Sequence, residues 1–91
     1  MSKNITIILS TYNEKLSIEH TINELIKNIN DVEIVVVDDN SPDGTFEVLK
    51  KINYQKLKVF CREKNRGVAS AFLLGLINAN GDIIGWLDSN M

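Results

Sequence analysis

The sequence is poor in several things, and each scarcity narrows its class. There is one cysteine, Cys61, in 91 residues. It has no partner for an internal disulfide and no CxxC neighbour, so a reducing, cytoplasmic setting is the simplest expectation. Basic residues are not in excess: 10 Lys and Arg against 12 Asp and Glu give a formal net charge of -2. No positive surface therefore argues for nucleic acid. Long apolar runs are missing too. The longest aliphatic run is Ile34-Val35-Val36-Val37, whereas a membrane-spanning helix needs roughly 20 residues. Met1-Ser2-Lys3-Asn4 leads straight into a strand-like segment, without the apolar core of a signal peptide. Linkers, low-complexity tracts and internal repeats are likewise lacking. What is there is ordinary globular composition, 44% hydrophobic and 24% charged, enough for one small domain over residues 1–91.

Strand and helix signals alternate along the chain. Ile5 to Leu9 is β-branched and apolar and predicts a first strand. Ser17 reads as an N-cap with Glu19 in the first turn, and Ile18, Ile22, Leu25, Ile26 and Ile29 form one helical stripe. Glu33 to Val37 does not alternate, as in a strand buried on both faces. A short helix follows, starting near Ser41-Pro42 or Asp43, with Phe46, Leu49 and Ile52 inward. Leu57 to Cys61 predicts a third strand with Cys61 buried, Gly67 to Ala79 a third helix, and Asp82 to Leu87 a fourth strand. This β-α-β-α-β-α-β order predicts an α/β fold. Its four parallel strands lie in the spatial order 3-2-1-4, with the first two helices on the face opposite the third. Ligands of such sheets bind beyond the carboxyl ends of the strands.

Polar clusters follow those strand ends. In Ser10-Thr11-Tyr12-Asn13-Glu14, the Tyr12 ring can stack on a base and the Glu14 carboxylate can accept hydroxyl or N–H groups. A plain polar loop is the blander reading. Asp38 and Asp39 repel one another, which a purely structural turn has no need of. Asp39 is a candidate to read a base N–H, with helix capping the competing role. Gly67, Ala71, Gly75 and Ala79 recur every fourth residue. Close helix–sheet packing explains the last three, while Gly67 at the helix start suits phosphate. Arg62, Lys64 and Arg66 precede it and fit either a diphosphate or a solvated cluster. Asp88-Ser89-Asn90 ends the last strand and offers hard oxygen donors to Mg²⁺ or Mn²⁺, or simply terminates the strand. No chemistry is assigned to His20, Cys61 or Trp86.

In order and spacing these segments resemble glycosyltransferase family 2, over about Ile5 to Asn90. Ser10-Thr11-Tyr12-Asn13-Glu14 is similar to the family's Pro-Thr-Tyr-Asn-Glu opening. Val36 to Thr45 looks like its acidic nucleotide-binding segment. Arg62, Asn65, Gly67, Ala71, Gly75, Ala79, Gly81, Asp82 and Asp88 fall at the spacing of its third block. The wording of Asp38 to Thr45 and of Gly67 to Phe72 looks most like dolichol-phosphate mannose synthases and related polyprenyl-phosphate glycosyltransferases.

The resemblance implies a Rossmann-like GT-A nucleotide-binding half. It also implies an inverting hexosyltransferase using a GDP- or UDP-sugar donor, a divalent cation (Mg²⁺ or Mn²⁺) and a polyprenyl- or dolichyl-phosphate acceptor. The full-length protein is then expected at the cytoplasmic face of a membrane. Carried onto this chain, the nucleotide-sugar residues are Ser10, Tyr12, Glu14, Asp39, Gly67, Asp88 and Ser89, and the metal residues Asp88 and Asn90. No catalytic base is assigned within the chain. Ser10 stands for the family's proline, and Asn90 for the second aspartate of its Asp-x-Asp motif, which removes one charge from the cation site. The family's acceptor half would lie past Met91, so the 91 residues are expected to be inactive alone and to self-associate through the fourth strand's edge. The competing reading is a non-enzymatic nucleotide-binding or receiver-like module. A receiver places its acidic pair after the first strand, whereas Asp38-Asp39 follows the second. A sugar nucleotidyltransferase would carry glycines after the first strand, and Ser10 to Glu14 has none.

Overall fold

A computed structural model describes residues 4–63 and 68–88, with backbone alone at residues 68, 69 and 88. The elements are β1 (Ile5–Thr11), α1 (Ile18–Asn28), β2 (Glu33–Asp38), α2 (Thr45–Lys50), β3 (Leu57–Cys61), α3 (Val68–Ile77) and β4 (Ile83–Asp88). The strands form one sheet in the order β3-β2-β1-β4, and every pairing is parallel. That is the predicted topology. Crossovers of the βαβ type, a connection that is right-handed almost without exception, join these strands, with the winding direction reversing after β3. No helix among the described residues is long and apolar enough to cross a membrane.

Side chains alternate across the sheet. Ile7, Leu9, Ile34 and Val36 face one side, where Ile18 and Ile22 of α1 and Leu49 of α2 close over them. Val35, Val37 and Ile8 are as fully buried as their neighbours, and Ile8 meets α3 on the other side. Helices therefore cover both faces as expected, which is why β2 shows no alternation in its sequence. Each such fully buried aliphatic side chain contributes about 1.5–3 kcal/mol. A methyl group at Gly75 would collide with Ile8 Cγ2 and lie 3.2 Å from its Cγ1 and Cδ1. The small residues of α3 thus serve close packing: Ala71 is fully buried, and Gly75 rests on the β1 side chain.

Several boundaries differ from the sequence expectation. β1 continues through Ser10 and Thr11, because both pair in register with β2 and Thr11 Oγ1 donates to Asp38 at 2.7 Å. α2 begins at Thr45 rather than at Pro42 or Asp43. Asp43 Oδ1 accepts the Thr45 N–H at 3.0 Å, and Gly44 takes φ 92° between them, a conformation glycine adopts freely. The inward face of α2 carries Val48, Leu49 and, just beyond its end, Ile52. Phe46 is only half-buried and lies under the Lys50 ammonium, 5.3 Å from its ring centroid. α3 ends at Ile77, and Asn78 and Ala79 continue it only by bonds back to Gly75 and Leu76. Cys61 is exposed rather than buried, since it ends an edge strand.

The amino ends of the strands are tied together by one acid. Glu33 Oε1 accepts Thr6 Oγ1 at 2.7 Å and the Asn80 N–H at 2.7 Å. Its Oε2 accepts Asn80 Nδ2 at 3.1 Å and faces Lys58 Nζ at 3.2 Å. Thr6 Oγ1 in turn accepts the Gly81 N–H. Burial alone would raise the Glu33 carboxyl, but these bonds outweigh it and hold it at about 2 against an ordinary 4.5.

Candidate functional site

The carboxyl ends of β2, β1 and β4 lie side by side, with Thr11 opposite Asp38 and Ser10 opposite Asp88. Asp38 is fully buried. Its Oδ1 accepts Thr11 Oγ1 at 2.7 Å and Ser41 Oγ at 2.6 Å, and its Oδ2 accepts the Ser41 N–H at 2.9 Å. Three bonds to protein donors make Asp38 an anchor for the β2–α2 loop, and its complete burial keeps it from a ligand.

That loop then holds its neighbour. Ser41 Oγ accepts the Asn13 N–H at 2.9 Å, Thr45 Oγ1 the Glu14 N–H at 2.9 Å, and Asp43 Oδ2 the Lys15 N–H at 3.1 Å. Three successive amides of the β1–α1 loop are thus fixed by the side chains of Ser41 and Asp43 in the β2–α2 loop and of Thr45 at the start of α2. The Thr45 hydroxyl also donates to Asp43 and keeps that carboxyl below the usual carboxylate range. Asn13 and Asn40 stand at φ 56° and 53°, a left-handed region that asparagine tolerates better than most residues.

Asp39 follows Asp38 with its side chain on other business. Its N–H donates to Thr11 O at 3.0 Å. Arg62, directly after β3, donates to Asp39 Oδ1 from Nε at 2.6 Å and from Nη2. The same guanidinium donates from Nη1 to Ser70 Oγ on α3. The two side chains are 15% and 9% exposed respectively. Asp39 Oδ2 accepts no hydrogen bond among the described residues and stays available to a donor.

The expected site residues fare differently. Tyr12 is 47% exposed, so its ring is available for stacking. Glu14 is half-buried. Its Oε2 accepts Ser17 Oγ at 3.0 Å and its carbonyl accepts the Ser17 and Ile18 amides, so much of its capacity serves the start of α1. Ser17 accordingly makes no side-chain cap of its own. Ser10 lies within β1, 8% exposed, not in the following loop. Gly67, Ser89 and Asn90 lie outside the described residues, and Asp88 is placed by its backbone at the end of β4. Among the described residues, no three His, Cys, Asp or Glu side chains gather closely enough to hold a metal ion.

Sequence reading missed the partnership of Arg62 with Asp39. The signal was present, since β2 and β3 are neighbours and Asp38 pairs with Cys61, which brings the next residue of each strand together. A cleft of about 160 Å³ lies at the opposite end of the sheet, lined by Asn4, Ile5, Asp31, Glu33, Lys56, Asn80 and Gly81. The Glu33 bonds described above already pair its main polar groups.

With this geometry in view, the chain belongs to glycosyl transferase family 2, whose model matches residues 6–90. It is 35% identical over 91 residues to a dolichol-phosphate mannosyltransferase of Pyrococcus furiosus, covering 96% of this chain and 26% of that protein. It is 30% identical over 98 residues to the Saccharomyces cerevisiae dolichol-phosphate mannosyltransferase, covering 100% of this chain and 37% of the other. Among solved structures it superposes with a TM-score of 0.88 on a mannosyltransferase from Pyrobaculum calidifontis in complex with GDP-Man and Mn²⁺. That match is 28% identical and covers 99% of this chain and 28% of that one. A glucosyl-3-phosphoglycerate synthase from Mycobacterium tuberculosis, in complex with Mn²⁺, UDP and glucosyl-3-phosphoglycerate, gives 0.76 at 26% identity, covering 97% and 34%. The chain therefore spans about a quarter to a third of the length of these relatives.

Proposed function

We propose that this chain forms the donor-binding part of an inverting glycosyltransferase that moves a hexose from a GDP- or UDP-sugar to a polyprenyl or dolichyl phosphate. The observation that carries the reading is the state of Asp39. One carboxylate oxygen is held by Arg62 and the other accepts no bond among the described residues, at a strand end adjoining an exposed tyrosine. An open carboxylate oxygen accepts the ring N–H of guanine or uracil, and an exposed phenol ring stacks on either base. Relatives that bind GDP-Man or UDP with Mn²⁺ support the donor class, and the mannosyltransferase relatives named for dolichol phosphate support the acceptor class.

The cation fits the donor set. Asp88 and Asn90 bring hard oxygen atoms, and two such ligands leave positions that diphosphate oxygens and water fill, as Mg²⁺ and Mn²⁺ sites commonly require. When bound, the ion neutralises the departing diphosphate. Asp88 and Asn90 would hold it, Ser89 and Gly67 would bond the diphosphate, and Tyr12, Glu14 and Asp39 would hold the nucleoside. Ser10, within β1 and opposite Asp88, would support the site from below.

The test is titration of the purified chain with GDP, UDP and their sugars, with and without Mn²⁺. Asp39→Ala is expected to weaken the preferred nucleotide by about 1–3 kcal/mol, the usual cost of a polar group losing its partner. Equal affinity in the two proteins refutes the assignment.

A further inference from the structure

Arg62 belongs by sequence to a basic run, Arg62, Lys64 and Arg66, that fits either a diphosphate or a solvated cluster. Its geometry directs it elsewhere. The Arg62 side chain is 9% exposed. Two of its nitrogens meet a single oxygen of Asp39, and the third, Nη1, bonds Ser70 on α3. Ion pairs between arginine and carboxylate commonly engage both carboxylate oxygens. Here the pair is one-sided: Oδ1 takes two charge-assisted bonds and Oδ2 takes none among the described residues. The carboxylate is fixed in rotation, its charge is balanced, and one acceptor is left facing away from the pair. A lone, unpaired carboxylate in the same half-buried position would rotate, and it would carry the full cost of desolvation when a base covered it.

We propose that Arg62 is a positioning residue for the base-reading carboxylate. Arg62 acts on nucleotide binding through Asp39, and Ser70 holds the guanidinium in place from α3. The inference rests on the reading of Asp39 as the nucleobase contact, and deepens it. The three groups come from the end of β2, the end of β3 and α3, so the base reader is braced by parts of the chain far apart in sequence. A guanidinium suits the task because its planar fork delivers two bonds along one edge while a third nitrogen points away, which an ammonium cannot reproduce.

The experiment is a double-mutant cycle on nucleotide affinity, read by two-dimensional NMR titration with GDP and UDP in the presence of diamagnetic Mg²⁺. The proteins are the unaltered chain, Asp39→Asn, Arg62→Met and the double variant, each checked for a native spectrum before titration. Arg62→Met is expected to lower affinity for the preferred nucleotide about tenfold or more, the scale of a lost charge-assisted bond. In the Asp39→Asn background the same change is expected to cost less than about twofold, since the group it acts through is gone. Arg62→Lys, which keeps the charge, is expected to restore only part of the loss. Equal losses from Arg62→Met in both backgrounds overturn the proposal and return Arg62 to direct contact with the nucleotide. So does an Arg62→Met variant that binds as well as the unaltered chain. If the unaltered chain binds neither nucleotide, or Asp39→Asn binds as well as it does, the donor-site reading itself fails and the role of Arg62 falls with it.

Discussion

Three carboxylates show how differently one residue type is used in this chain. Asp38 is fully buried with three hydrogen bonds, and Asp38→Ala should strand those donors and cost stability of about 2–4 kcal/mol. Thermal unfolding checks it, and an unchanged melting temperature would contradict the anchoring role. Asp39, one position on, should by contrast show its loss mainly in nucleotide affinity. Glu33 governs acid behaviour at the other end of the sheet. Its folded-state carboxyl sits at about 2, below its ordinary 4.5, so its contribution is complete above 4.5 and is lost as pH falls toward 2. Denaturant unfolding between about pH 6 and pH 2 should show Glu33→Gln losing less stability than the parent on acidification. Parallel pH profiles would rule this out. Asp39 stood out in the sequence because adjacent aspartates at a strand end are conspicuous. Glu33 did not, because its partners Thr6, Lys58 and Asn80 are scattered along the chain and meet only once the sheet is assembled.

At the level of elements, apolar periodicity was enough to read the strands, the helices and most of their faces, Phe46 on α2 and Cys61 on β3 being the exceptions. The alternating Ile7, Ile8 and Leu9 divide between two helical layers, and the unbroken run in β2 needs cover on both sides. Boundaries were less legible wherever a polar residue joined the regular structure. Ser10 and Thr11 look like loop residues, yet the Thr11–Asp38 bond carries the ladder past them. Asp43 looks like an N-cap, yet Gly44 intervenes and Thr45 opens the helix. The contact of Gly75 with Ile8 belongs to this scale as well. Gly75→Val should lower stability by about 1–3 kcal/mol through overpacking, and by less in an Ile8→Ala background, where the colliding side chain is gone. Additive losses in denaturant unfolding would mean that the contact is not the cause.

For the molecule as a whole, the sheet has a closed amino end, stitched by Glu33, and a carboxyl end where side chains remain available. β4 lies at an edge of the described sheet with Ile83 48% and Leu87 43% exposed, the kind of strand that pairs with another copy. Light scattering is expected to find a species larger than 91 residues, reduced toward the monomer by Leu87→Lys, and a stable monomer of the parent chain would exclude the pairing. The hold of Ser41, Asp43 and Thr45 on the amides of residues 13, 14 and 15 bears on which sequences this architecture tolerates. One partner contributes side chains and the other only backbone. Saturation mutagenesis should therefore give an asymmetric map: Ser41, Asp43 and Thr45 restricted to small oxygen-bearing residues, while Lys15 accepts almost any replacement except proline, the one residue without an amide hydrogen to offer.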